Sequence, residues 1–93
     1  MFPRILNQMR ENIRTRRYVM TLHAEEEMDN DALSIYDVEH AVLTGTIQRR
    51  QKDLKTGEWK YIIQGPSFDA ERMEVVAKLS PLGKLVIITV YRT

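Results

Sequence analysis

The sequence predicts an α+β domain in which two to three N-terminal helices pack on one face of a curved, four-stranded antiparallel sheet. Three observations carry this. Apolar residues recur at helical spacing up to Gly45 and at period two after it. Helix-start signals, Thr21 and Ser34, fall only in the first half. Turn signals, Lys55-Thr56-Gly57 and Pro81-Leu82-Gly83, fall only in the second, where they would join strands into hairpins. A chain of 93 residues makes one domain, 1–93, with one modest core.

Each element has its own warrant. Residues 3–15 set Ile5, Leu6, Met9 and Ile13 on one helical stripe, with Pro3 suited to a first turn. Arg14, Arg16 and Arg17 suit the negative end of that helix dipole. This amphipathic stretch, residues 1–17, suits packing on its own core and a homodimer through the helix equally well. Thr21 is the expected N-cap of a second helix over residues 22–30. Ser34-Ile35-Tyr36-Asp37 has capping-box spacing, with Asp in place of Glu, and opens a third helix buried through Ile35, Val38, Ala41 and Val42. Gly45 is expected to stop it in the left-handed conformation.

Residues 46–53 read as an edge strand, because only Ile47 is strongly apolar. Residues 58–64 set Trp59, Tyr61 and Ile63 on one face, and Gly65-Pro66 begins a loop. Residues 72–79 alternate Met73, Val75, Ala77 and Leu79 with Arg72, Glu74, Val76 and Lys78. Residues 84–92 are apolar on both faces, which belongs inside a sheet. A simple meander would leave that last strand at an edge. Either the strand order is not sequential or another chain covers the edge.

Composition narrows the classes of function. The absence of cysteine excludes disulfide frameworks, thiolate nucleophiles and cysteine zinc sites. The longest apolar run, Leu85-Val86-Ile87-Ile88, is too short to cross a bilayer, and Met1-Phe2-Pro3-Arg4 lacks a secretory signal, so a cytoplasmic protein away from membranes is expected. The near-zero net charge is uneven: residues 1–20 carry +4, residues 21–45 carry −7 and residues 46–93 carry +4. An acidic helix neutralised by basic elements and a true anion-binding face both fit this pattern.

Several side chains could carry chemistry. His23 begins the second helix, with Glu26 and Glu27 three and four residues on; it could move a proton near neutral pH or merely pack at a helix start. His40 sits opposite the apolar stripe and reads as a solvated residue. His23, Glu27 and Asp31 share a helix face, yet one histidine with acids is a poor zinc signature, and no metal or cofactor is expected. Lys60, Arg72 and Lys78 stand at period-two positions, with Arg49, Arg50 and Lys52 on the preceding strand. Converging beside His23, such cations would hold a phosphodiester; spread over a wet sheet face, they serve solubility. Tyr61, Tyr91 and Trp59 could stack on unpaired bases, though Trp59 and Tyr61 fall on the core face.

Tyr18-Val19-Met20-Thr21-Leu22-His23-Ala24, Met28, Leu33-Ser34, Asp37-Val38-Glu39 and Leu43-Thr44-Gly45, with the ending Gly83-Lys84-Leu85-Val86-Ile87-Ile88-Thr89-Val90-Tyr91, resemble the bacterial domain of unknown function 4258. The likeness runs over residues 18–93, and Gln51-Lys52-Asp53 with Thr56-Gly57-Glu58-Trp59-Lys60-Tyr61 resembles a longer-hairpin branch. It implies a RelE-like toxin of the barnase and colicin ribonuclease type, encoded beside a zinc-finger or helix-turn-helix antitoxin. Many members carry arginine where Glu27 and Asp31 stand and glycine where Ala32 stands. Two acids for two cations make that helix face repel phosphate.

The expectation is therefore a metal-independent endoribonuclease that binds RNA. His23, Lys60 and Tyr91 would be catalytic, with Arg72, Lys78, Thr89 and Tyr61 binding substrate; His23, Thr89 and Tyr91 follow from the resemblance. The alternative is a non-catalytic interaction module that keeps the fold and docks a basic partner on its acidic helix.

Overall fold

The acid-rich middle of the chain and its apolar last strand meet along one edge of a mixed sheet. The computed structural model describes residues 2–93; Met1 lies outside them. In chain order the elements are α1 (Pro3–Arg14), β1 (Tyr18–Met20), α2 (Leu22–Asn30), α3 (Ile35–Thr44), β2 (Thr46–Lys52), β3 (Trp59–Pro66), β4 (Arg72–Leu79) and β5 (Leu85–Arg92). The sheet order is β1-β5-β4-β3-β2, so β2 to β5 form the meander. The added strand is β1, which pairs with β5 in parallel through Tyr18–Leu85, Val19–Val86 and Met20–Ile87. Five strands in a mixed sheet replace the expected four antiparallel ones. The strand order is sequential across the meander, and the same chain covers the edge of β5. Three residues between the arginines and the Thr21 cap were too short a run to show their period.

Local signals behave as their chemistry requires. The Thr21 hydroxyl accepts from the Ala24 N–H at 3.1 Å and caps α2. Ser34 and Asp37 form the reciprocal capping box of α3. Asp37 also accepts from the Phe68 N–H at 3.0 Å, clamping the β3–β4 loop. Burial pushes the Asp37 carboxyl up, but backbone N–H donors from Ser34 and Phe68 outweigh it and hold the group below its ordinary range.

Gly45 corrects the sequence reading. Its φ of −85° is ordinary, and Arg10 caps the helix end through the carbonyls of Val42 and Gly45 at 3.2 and 2.7 Å. Glycine is needed there for contact: a Cβ on Gly45 would meet the Gln64 carbonyl at 2.4 Å, and one on Gly65 would meet the Ala41 carbonyl at 2.5 Å. Gly65 accordingly lies inside β3, where α3 rests on the strand, and does not begin a loop. His40 stacks on Phe68 with ring centroids 4.7 Å apart and is not simply solvated.

One core lies between the helices and one sheet face. It joins Leu6, Met9 and Ile13 of α1, Ala24 and Met28 of α2, and Val38, Ala41 and Val42 of α3 to Ile63, Met73, Val75, Leu85, Ile87 and Val90. The apolar stripe of α1 is thus filled by its own chain. Asn12, 2% exposed, donates to the carbonyls of Arg17 and Gly83 and ties the end of α1 to the β4–β5 turn.

Candidate functional site

Past Met20, the edge of β5 away from β4 has no strand beside it, and α2 takes the place of one. Thr21 donates its N–H to the Ile87 carbonyl and its hydroxyl to the Ile88 carbonyl. One turn into the helix, Glu27 accepts from the Val90 N–H at 3.3 Å; four residues later Asp31 accepts from the Arg92 N–H at 3.1 Å. The i,i+4 step of a helix thus matches the i,i+2 step of outward N–H groups on a strand edge. Arg92 also donates to the Asp31 carbonyl and pairs with Glu71. Glu27 and Asp31, the acids on this helix face, are thus sheet-edge acceptors. Among the described residues no cluster of three or more His, Asp or Glu side chains suits a metal.

His23 sits on this edge. Its Nε2 is 3.1 Å from Glu27, its side chain is 64% exposed, and it lines none of the three cavities described below.

The opposite sheet face is where charged side chains meet. Pairing registers assign its rows: Thr46, Gln64, Glu74 and Tyr91; then Arg49, Ile62, Val76 and Thr89; then Gln51 opposite Lys60, and Lys78 opposite Val86. Bulges at Gln48 and Ile88 shift β2 and β5 by one residue, which turns Arg49, Thr89 and Tyr91 to this face. Ile62 is 2% exposed yet stands outside the helix-side core, so the middle of this face is apolar between two polar clusters.

The first cluster centres on Glu74, whose side chain is 13% exposed. The Tyr91 hydroxyl donates to it at 2.5 Å, and Arg49 Nη2 lies 3.9 Å from the same oxygen. The hydrogen bond to Glu74, aided by burial, raises the Tyr91 pKa, and Arg49 opposes the shift. Thr89 is one row away.

The second cluster surrounds a cavity of about 240 Å³ lined by Thr21, Asp53, Glu58, Lys60, Lys78, Val86 and Ile88. Lys78 is paired with Glu58 at 3.1 Å. Asp53 accepts from the backbone N–H groups of Lys55 and Thr56, which hold its carboxyl below the ordinary range and fix the β2–β3 turn. Glu74 and Lys78 are four residues apart along β4, roughly 13 Å.

The structure therefore brings together Lys60 with Lys78, and Tyr91 with Thr89 nearby, on one face. Arg72 lines a separate cavity of about 330 Å³ with Gly45 and Gly65 at the far end of the sheet. Tyr61, 7% exposed, points to the helix side, where its ring meets Phe2 edge-on at 5.5 Å. Sequence reasoning passed over Glu74 and Arg49 as a pair with Tyr91. Alternation set Glu74 beside Lys78, but its partner on β5 needed the register and the Ile88 bulge.

The family model described as a domain of unknown function, DUF4258, matches residues 20–92. The chain belongs to the DUF4258 family. No curated protein and no solved structure matches it. The DUF4258 match holds α2, α3 and β2 to β5, hence both polar clusters and the α2 edge, while α1 precedes it. Among the described residues no helix is long and apolar enough to cross a membrane.

Proposed function

We propose that this DUF4258 chain is a RelE-like, toxin-type endoribonuclease that cleaves RNA without metal on the helix-free face of its sheet. One observation carries the reading: that face holds Glu74, Tyr91 and Arg49 in one cluster and Lys60 and Lys78 in the next. A carboxylate beside a guanidinium is the pairing that phosphodiester cleavage asks for, a base near a cation that neutralises the phosphate. Glu74 takes the proton of the ribose 2′-hydroxyl as the 2′-oxygen–phosphorus bond forms. The phosphorus–5′-oxygen bond breaks, a 2′,3′-cyclic phosphate is left, and water protonates the departing oxygen. Tyr91 orients Glu74, Arg49 balances charge at the scissile phosphate, and Lys60 and Lys78 hold the strand about two nucleotides along.

In this reading the proton-moving group is Glu74 and not His23, which pairs with Glu27 on the α2 edge, away from the two clusters. The partner it implies is an antitoxin of the zinc-finger or helix-turn-helix type. Purified protein in EDTA is expected to cut RNA to cyclic-phosphate ends, and Lys60→Ala or Lys78→Ala to lower kcat/KM about 10- to 100-fold. Cleavage that EDTA abolishes, or none at all, would refute it.

A second reading, the non-catalytic interaction module, is favoured by the balance of the face: Arg49, Lys60 and Lys78 stand against Asp53, Glu58 and Glu74. Against it, four acids of the −7 segment are engaged internally: Glu27, Asp31 and Asp37 accept backbone N–H groups, and Glu39 accepts the Tyr18 hydroxyl. The acidic docking surface is reduced to the exposed Glu25, Glu26 and Asp29.

A further inference from the structure

Trp59 is half out of the core. It opens β3 on the helix side, beyond the first turn of α1, and is 38% exposed. The Arg50 guanidinium lies 3.9 Å from its ring centroid and the Lys52 ammonium 5.6 Å, so two cations frame the indole. Beside it opens a cavity of about 250 Å³ lined by Ile5, Glu58, Trp59, Tyr61, Leu79 and Pro81. This is smaller than the roughly 300–1,000 Å³ of drug-sized sites, a space for one planar ring system. Glu58 lines both this cavity and the one holding Lys60 and Lys78, so the two lie on either side of the sheet rim where β3 begins.

We infer that Trp59 and its cavity receive one unpaired base of a single-stranded nucleic acid whose backbone crosses that rim from Lys60 and Lys78. This deepens the reading above and rests on it for the path of the strand. Three features converge on a base. The Trp59 ring, with Arg50 over it, borders a cavity lined mostly by apolar side chains, where it gains by stacking, which every nucleobase can supply. Arg50 and Lys52, with Lys55 in the adjoining turn, neutralise phosphates on either side of it. The edge strand β2 that carries these cations bears no acid. A duplex keeps its bases stacked inside and cannot fill the cavity, so the site takes a single strand, and the cleavage at a 2′-hydroxyl proposed above makes that strand RNA.

Trp59 is the chain's one tryptophan, so its emission reports this site alone. The probe is a labelled 2′-O-methyl RNA decamer, which lacks the attacking hydroxyl and stays intact. Saturable quenching of Trp59 by the single strand is expected, with little by the same sequence as a duplex. Trp59→Ala should weaken binding, read by anisotropy of the label, about 5- to 150-fold, and Trp59→Phe should retain most of it. A strand that binds while Trp59 emission stays constant, or binds Trp59→Ala and Trp59→Phe as tightly as the parent, overturns the inference and leaves the cleavage reading standing. Quenching by the strand from a protein that cuts no RNA would support this site and defeat that reading. No binding of the strand overturns both.

Discussion

Two regions of this chain look equally charged in sequence and use their charges in opposite ways. Along the β5 edge, the carboxylates of Glu27 and Asp31 are taken up by backbone N–H groups that no strand reaches. On the helix-free face, among the described residues, the side chains of Glu74, Arg49, Tyr91, Lys78 and Glu58 bind other side chains. A backbone donor cannot leave its acceptor without the fold paying a desolvation cost, whereas side-chain pairs can exchange partners with an incoming phosphate. The difference separates charge locked to the backbone from charge held in side-chain pairs that can exchange.

The contrast can be broken by mutation. Glu27→Ala strips the acceptor from Val90 N–H and should lower unfolding free energy by about 1–3 kcal/mol, read from urea midpoints; Glu27→Gln, which keeps an oxygen, should recover most of it. An unchanged midpoint for Glu27→Ala would mean the edge needs no such cap.

A smaller effect sharpens the structural side of the comparison. Tyr18 ties β1 to α3 through its hydrogen bond to Glu39, and burial together with that bond pushes its pKa from 10.0 up to about 12. The folded state holds this proton more tightly than the unfolded chain does. Its contribution is therefore complete below pH 10 and is lost as pH rises towards 12. Tyr18→Phe should be less stable at neutral pH by about 1 kcal/mol and should lose less stability over that alkaline window. Equal pH dependence in the two proteins would contradict the assignment.

The smallest effect is a gain. Just past α2 and its C-cap Asp31, Ala32 stands at φ 54°, with Leu33 N–H bonded back to the Met28 carbonyl, a left-handed termination that favours glycine. Ala32→Gly relieves that backbone strain and should raise the melting temperature, by about 0.5–1 kcal/mol of stability.

Much of this was legible in the residues, and the remainder has identifiable physical causes. The caps at Thr21 and Ser34, the polar edge strand and the alternation of β4 rest on local chemistry that travels with the sequence. The strand at Tyr18–Met20 escaped because a three-residue run has no measurable period, and its existence answers the apolar composition of β5. The purpose of Glu27 and Asp31 was hidden because a helix standing in for a strand is a tertiary event. Glu74 was seen beside Lys78, but its union with Tyr91 and Arg49 depends on two bulges that no local pattern marks. No local pattern marks Asn12, which from a buried position on α1 donates to the carbonyls of Arg17 and Gly83.

The sharpest test sets Glu74→Gln beside Glu27→Gln and His23→Ala, with RNA cleavage in EDTA and melting temperature measured on each. The account predicts that Glu74→Gln lowers the cleavage rate about 10²- to 10⁴-fold with little change in melting, while the other two retain their rate under folding conditions. Loss of cleavage in His23→Ala with Glu74→Gln fully active would contradict it.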